Sequence, residues 1–96
     1  MISGSQKMIF KHENSRIYYM DENGKVLAEI LFPTEADGTA NITHTFVDDS
    51  LRGQGIAGKL MEMAVEQIKG EQKTPKFTCS YAIKWAEKNY SNQNTL

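Results

Sequence analysis

The polar–apolar pattern changes period partway along the chain. From Lys25 to Phe32 it alternates, with Val26, Ala28, Ile30 and Phe32 on one side and Lys25, Leu27, Glu29 and Leu31 on the other. A period of two predicts a strand, here with one wholly apolar face. Two short apolar runs precede it, Met8 to Phe10 and Ile17 to Met20, the second ending at Asp21-Glu-Asn-Gly24. The Asn23-Gly24 pair is a hairpin signal, because both residues tolerate positive φ. Pro33 to Gly38 is a turn-rich loop. Thr39 to Val47 is rich in β-branched residues and alternates again. Ile42, His44 and Phe46 share one face there and Asn41, Thr43, Thr45 and Val47 the other, so one continuous strand is expected.

From Ile56 to Lys69 the period lengthens. Ile56, Leu60, Ala64 and Ile68 form one row, and Ala57, Met61 and Val65 the row beside it. That is an amphipathic helix, with Gly70 as its expected C-terminal cap. Thr74-Pro75 interrupts the chain, Lys76 to Ser80 reads as a short strand, and Tyr81, Trp85 and Lys88 place a short helix over residues 81–88. The order β-β-β-loop-α-β-α predicts a mixed α/β (α+β) fold. Its first strands are antiparallel, and a right-handed βαβ crossover lays the last strand parallel to the third.

Composition narrows the class. At 96 residues the chain is expected to form one domain over residues 8–90, with residues 1–7 and 91–96 as flexible tails. Hydrophobic residues make up 40% and charged ones 24%, the balance of a folded globule rather than a disordered chain. Eleven basic against twelve acidic residues give a net charge of -1, which lacks the concentrated basic face that nucleic acid demands. The single cysteine, Cys79, excludes an internal disulfide and a Cys-based zinc cage, and no metal site is expected. No apolar run approaches the ~20 residues of a membrane span, so a cytoplasmic protein with no membrane partner is the expectation.

The densest chemical signal is Arg52-Gly-Gln-Gly-Ile-Ala-Gly58, with three glycines directly before the helix. Glycine inside a helix costs about 1 kcal/mol relative to alanine, so the backbone must gain something from it. Free N–H groups and the positive end of the helix dipole make such a terminus a phosphate cradle. The competing reading is a helix start packed tightly on the sheet. Gly53-x-Gly55-x-x-Gly58 matches the dinucleotide fingerprint by letter. It lacks that motif's tight strand-to-glycine turn, its later acidic residue and its chain length. Gly53 to Lys59 resembles a P-loop, but Leu60 stands where a Mg²⁺-binding hydroxyl is needed.

Arg52-x-x-Gly55-x-Ala57, between a strand and a long helix, is more similar to the pyrophosphate loop of the GCN5-related N-acetyltransferases (GNAT). The wider stretch from Thr43 to Leu60, with His44-Thr45 before the loop and Cys79 beside Tyr81 after it, resembles the minimal single-domain members of that family. The resemblance spans about residues 8–90. It implies a site for acetyl-CoA or coenzyme A, used as co-substrate, with the pyrophosphate against backbone N–H groups of Arg52, Gly53, Gln54, Gly55, Ile56, Ala57, Gly58 and Lys59. It also implies that the strands before the loop and after the helix splay apart to admit the acetyl-bearing arm, with Phe46 and Val47 on one side. A backbone N–H near Phe46 or Val47 then serves as oxyanion donor. The subgroup often follows its last helix with a Pro-Glu-Tyr/Phe-like segment, where this chain has Asn89-Tyr-Ser-Asn92.

Acetyl transfer requires a base for the amine, a donor for the oxyanion and a proton for the departing thiolate. His44 is the candidate base, since imidazole titrates near neutrality; its alternative is a structural strand histidine. Cys79 is a candidate nucleophile, its alternative a small buried residue. The two are expected to face each other across the gap. Lys59, Lys84 and Lys88 are either solvated helix lysines or contacts for the 3′-phosphate of CoA. Tyr81 and Trp85 are expected to pack the last helix onto the sheet, and Asp48 and Asp49 to lead the turn. The implied activity is an N-acetyltransferase acting on an amine acceptor of unread identity. Its alternatives are a CoA or acyl-CoA binding module without turnover and a nucleotide-binding interaction domain.

Overall fold

The structure, a computed structural model, describes residues 8–89, so both expected tails lie outside the described residues. The strands are β1 (Lys11–Glu13), β2 (Arg16–Met20), β3 (Val26–Leu31), β4 (Thr39–Ile42), β5 (His44–Val47) and β6 (Thr74–Phe77). The helices are α1 (Ile56–Gly70) and α2 (Ser80–Asn89), and a single 3-10 turn covers Asp49–Leu51. β1, β2, β3 and β5 form an antiparallel sheet in that order, while β4 and β6 pair in parallel. The predicted crossover is therefore present, running from β4 through β5 and α1 to β6.

The β2–β3 turn is built on Asp21. Its carboxylate accepts the N–H groups of Asn23 at 2.9 Å and Lys25 at 3.0 Å, an Asx-type anchor. Gly24 alone takes positive φ (84°), so the two-residue left-handed turn expected of Asn23-Gly24 does not form.

The expected single strand over Thr39 to Val47 is two strands, and the break has a hydrogen-bonding cause. The Ile42 carbonyl accepts the N–H groups of Thr78 at 3.2 Å and Cys79 at 3.3 Å, on the β6 side. The next N–H, that of Thr43, donates the other way, to Leu31 at 3.1 Å. The segment thus changes partners at Thr43, and the alternation loses phase as it does at a bulge. Ile42 is buried, but His44 and Phe46 face solvent and Thr45 and Val47 turn toward the helices, so the expected grouping of Ile42 with His44 and Phe46 fails.

The core lies between the inner sheet faces and the two helices. Ile17, Ala28, Ile30, Phe32, Ala40 and Ile42 meet Ile56, Leu60, Met61, Ala64, Val65 and Ile68 of α1, with Ala82 of α2. Both predicted rows of α1 are inside except Ala57, which is half-buried.

Several element ends differ from expectation, among them that of β6, which starts at Thr74 and contains the Pro75 expected to interrupt the chain. Gly70 is the last helical residue rather than the cap. Gln72 takes the left-handed position (φ 63°), with its N–H on the Lys69 carbonyl (2.9 Å) and that of Lys73 on Ile68 (3.0 Å), which is a Schellman motif. β6 stops at Phe77 and α2 starts at Ser80, so Cys79 lies in the junction between them rather than on a strand.

Candidate functional site

After Ile42, β5 and β6 separate. The Asp48 N–H donates to the Leu27 carbonyl at 2.8 Å, which sets the phase of the β3–β5 ladder. Antiparallel pairs alternate, so Glu29–Phe46 and Leu31–His44 are the hydrogen-bonded pairs. The backbone groups of Thr45 and Val47 consequently point away from β3, along the edge of β5 that carries no partner strand. Of the two expected donors, Val47 offers its N–H to the gap, while that of Phe46 is committed to β3.

Below this edge the chain turns twice through left-handed glycines, Gly53 (φ 84°) and Gly55 (φ 72°), and α1 begins. Gly55 is the N-cap and supplies no side-chain acceptor. The first-turn amides, which no helix can satisfy internally, are left for another group. A cavity of about 380 Å³ opens there, lined by Thr45, Phe46 and Val47, by Leu51 to Gly53, by Gly55 to Gly58, and by Tyr81. A second cavity of about 630 Å³ continues from Gly58 and Tyr81 along Lys84, Trp85 and Lys88 of α2. A Cβ added at Gly58 would sit 3.7 Å from the Tyr81 hydroxyl, an ordinary contact. Tight packing therefore does not explain Gly58; the missing side chain keeps the junction of the cavities open.

The two loop aspartates lead the turn, as expected. Asp48 caps the 3-10 turn through the Ser50 N–H (3.0 Å) and hydroxyl (2.7 Å), and these bonds hold its carboxyl below the usual carboxylate range. Asp49 is 3.0 Å from Arg52, an exposed pair worth little energy. Gln54 and Lys59 are exposed and lie outside the lining of the first cavity.

His44 and Cys79 do not face each other. His44 projects from the outer sheet face, where its Nε2 is 3.9 Å from Glu29 Oε1. Cys79 lies on the helix side: its Sγ accepts the Ala82 N–H at 3.4 Å, starting α2, and sits 4.0 Å from the Thr45 hydroxyl. Strand alternation separates them, because Thr45 is the β5 residue that points toward Cys79.

Tyr81, expected only to pack α2 on the sheet, lines both cavities, and burial raises the pKa of its phenol, keeping the proton on. Its spacing with Trp85 revealed a helix face but not that α1 leaves a gap opposite at Gly58. Trp85 does pack as expected, its ring 6.5 Å from that of Phe77. Among the described residues no cluster of His, Cys, Asp and Glu is arranged to hold a metal, and no helix is long and apolar enough to cross a membrane.

The described chain is thus a mixed α/β domain in which a glycine-opened helix faces two separating strands. The profile of the GCN5-related N-acetyl-transferase family matches residues 16–95, and the chain belongs to that family. The NMR structure of a GCN5-like candidate N-acetyltransferase from Staphylococcus aureus superposes with a TM-score of 0.71 at 34% identity, covering 92% of this chain and 86% of that one. The crystal structure of a ribosomal-protein-alanine N-acetyltransferase from Brucella melitensis biovar Abortus gives a TM-score of 0.54 at 13% identity, over 80% of this chain and 62% of that one, which speaks for the fold alone. No curated protein matches the chain.

Proposed function

We propose that this chain transfers an acetyl group from acetyl-CoA to an amine. One observation carries the reading: the uncapped start of α1, opened by two left-handed glycines, faces a cavity bounded by the unpaired edge of β5. The residues fit such a co-substrate. The first-turn amides of Ile56, Ala57 and Gly58 suit a diphosphate. The second cavity, with Lys84 and Trp85, has room for the nucleotide end.

The chemistry divides among this chain's groups. The acceptor nitrogen attacks the thioester carbonyl, and the Val47 N–H stabilises the oxyanion that forms. The C–S bond breaks as the tetrahedral intermediate collapses, and the Tyr81 hydroxyl gives its proton to the leaving sulfur. His44 takes the proton lost by the amine on the outer face of the gap, and both residues re-equilibrate with water. Cys79 is placed outside this sequence, because its sulfur already caps α2 on the face opposite His44. Direct attack on the thioester therefore has more support than an acetyl-cysteine intermediate.

Thermal titration and a turnover assay over an amine panel test the reading. Acetyl-CoA should raise Tm, and ATP or NAD should not. Gly55→Asp puts a carboxylate at the diphosphate position and should weaken CoA binding by about 100-fold, or ~2.7 kcal/mol. Unchanged affinity would contradict the site. His44→Ala should lower kcat by about 100-fold, and Cys79→Ser should leave it within about threefold. CoA binding without release of free thiol over the whole panel would instead mark a binding module.

A further inference from the structure

The outer face of the antiparallel sheet carries, beside His44, the charged groups Arg16, Glu29 and Glu13, which the proposed transfer does not use. Arg16 on β2 donates from Nε to Glu29 Oε2 on β3 at 2.6 Å, and its guanidinium lies 3.8 Å from the centroid of the Tyr18 ring. Glu13 adds a looser contact to Arg16 at 3.9 Å. The other oxygen of Glu29, Oε1, is turned to His44 Nε2 at 3.9 Å. The register explains the meeting: Arg16 is opposite Leu31, Leu31 opposite His44, and Glu29 opposite Phe46, so Glu29 and His44 are diagonal neighbours on one face. Glu29 is the less exposed partner, its side chain 20% accessible against 49% for His44.

We propose that Glu29 is a positioning residue for His44, and that Arg16 fixes Glu29 in turn; this rests on the reading of His44 as the base. A carboxylate facing Nε2 favours the imidazole tautomer that carries its proton there, which leaves Nδ1 free to accept. When the acceptor nitrogen bonds to the acetyl carbon, its proton passes to Nδ1. The resulting imidazolium holds its Nε2–H toward Glu29, and the proton later leaves to water. The 3.9 Å separation is longer than a hydrogen bond, and catalytic pairs commonly tighten only with substrate bound. Arg16 prevents the alternative, a carboxylate swung away into water, because its bond and its stacking on Tyr18 hold the far oxygen.

Two measurements decide it. In the wild-type chain, ¹⁵N-resolved NMR of the neutral His44 ring should show the Nε2–H tautomer, with a mixture in Glu29→Gln; a wild-type ring protonated at Nδ1 overturns the proposal. In kinetics, Glu29→Gln should lower kcat about tenfold with the KM for acetyl-CoA unchanged, and Glu29→Asp should recover part of the loss. His44→Ala run in parallel separates the two claims. If it loses activity and Glu29→Gln does not, the positioning role falls while the transfer reading stands. If neither variant loses activity, His44 is not the base and the positioning role falls with it, while acetyl transfer itself stands.

Discussion

The segment from Thr39 to Val47 has a closed end and an open end, and the two handle backbone and polar groups in opposite ways. At the closed end β4 pairs with β6 over four residues, Thr39–Thr74 to Ile42–Phe77. Asn41, the buried polar side chain there, donates to Glu35 and accepts the Thr78 hydroxyl at 2.9 Å. Glu35 also meets Lys76 at 3.1 Å. No buried side-chain polar atom among the described residues lacks a partner. At the open end, Val47 has its amide on an unpaired edge and Gly55 starts a helix without a side-chain cap. Satisfied groups hold a structure together, whereas unsatisfied donors at a cavity are available to a ligand. The closed end supplies the rigidity that lets the open end stay open.

The strongest challenge to this contrast is Ile42→Ala. Ile42 is fully buried where the segment changes partners, so its truncation should cost about 2–5 kcal/mol in denaturant unfolding. CoA affinity of the folded fraction should change little; a collapse of affinity with the fold intact would mean the two ends are not separable. Gly58→Ala probes the open end. Its Cβ meets no clash, so stability should rise by about 1 kcal/mol, while CoA binding weakens several-fold as the methyl enters the junction of the cavities. A gain in both would show that Gly58 is not kept for the ligand. Gln72→Gly relieves a left-handed residue at the far end of α1 and should add about 0.5–1 kcal/mol with CoA binding unchanged.

The smallest effect is electrostatic. The Ser50 bonds hold the Asp48 carboxyl below its ordinary 3.8 in the folded chain. A depressed carboxyl contributes stability above its unfolded value and loses it as pH falls through the folded one. Asp48→Ala should therefore lower Tm at neutral pH, and its difference from wild type should narrow below about pH 4. A difference that stays constant into acid would assign the effect to shape rather than to charge.

Elements whose periodicity reports burial were legible in the chain. The rows of α1 and the apolar face of Val26 to Phe32 follow from one rule, that a face meeting a core must be apolar at the period of its backbone. The glycine loop was legible too, because glycine at Gly53, Gly55 and Gly58 has a local conformational cost, and two of these positions take the left-handed φ that glycine allows. His44, Cys79 and Tyr81 were visible as residue types, but not in their relations.

Those relations depend on contacts remote in sequence. One carbonyl, that of Ile42, turns to β6 while the next amide turns to β3, and this shifts the pleat so that His44 and Thr45 exchange faces. The shift sends His44 to Glu29, leaves Cys79 to cap α2, and commits the Phe46 amide while freeing that of Val47. Alternation along a strand is a local property, but its phase across a break is set by the strands on either side. The amino-acid pattern therefore determined which segments fold and where the glycine-opened helix begins. Only the packed sheet decided which side chains share a face.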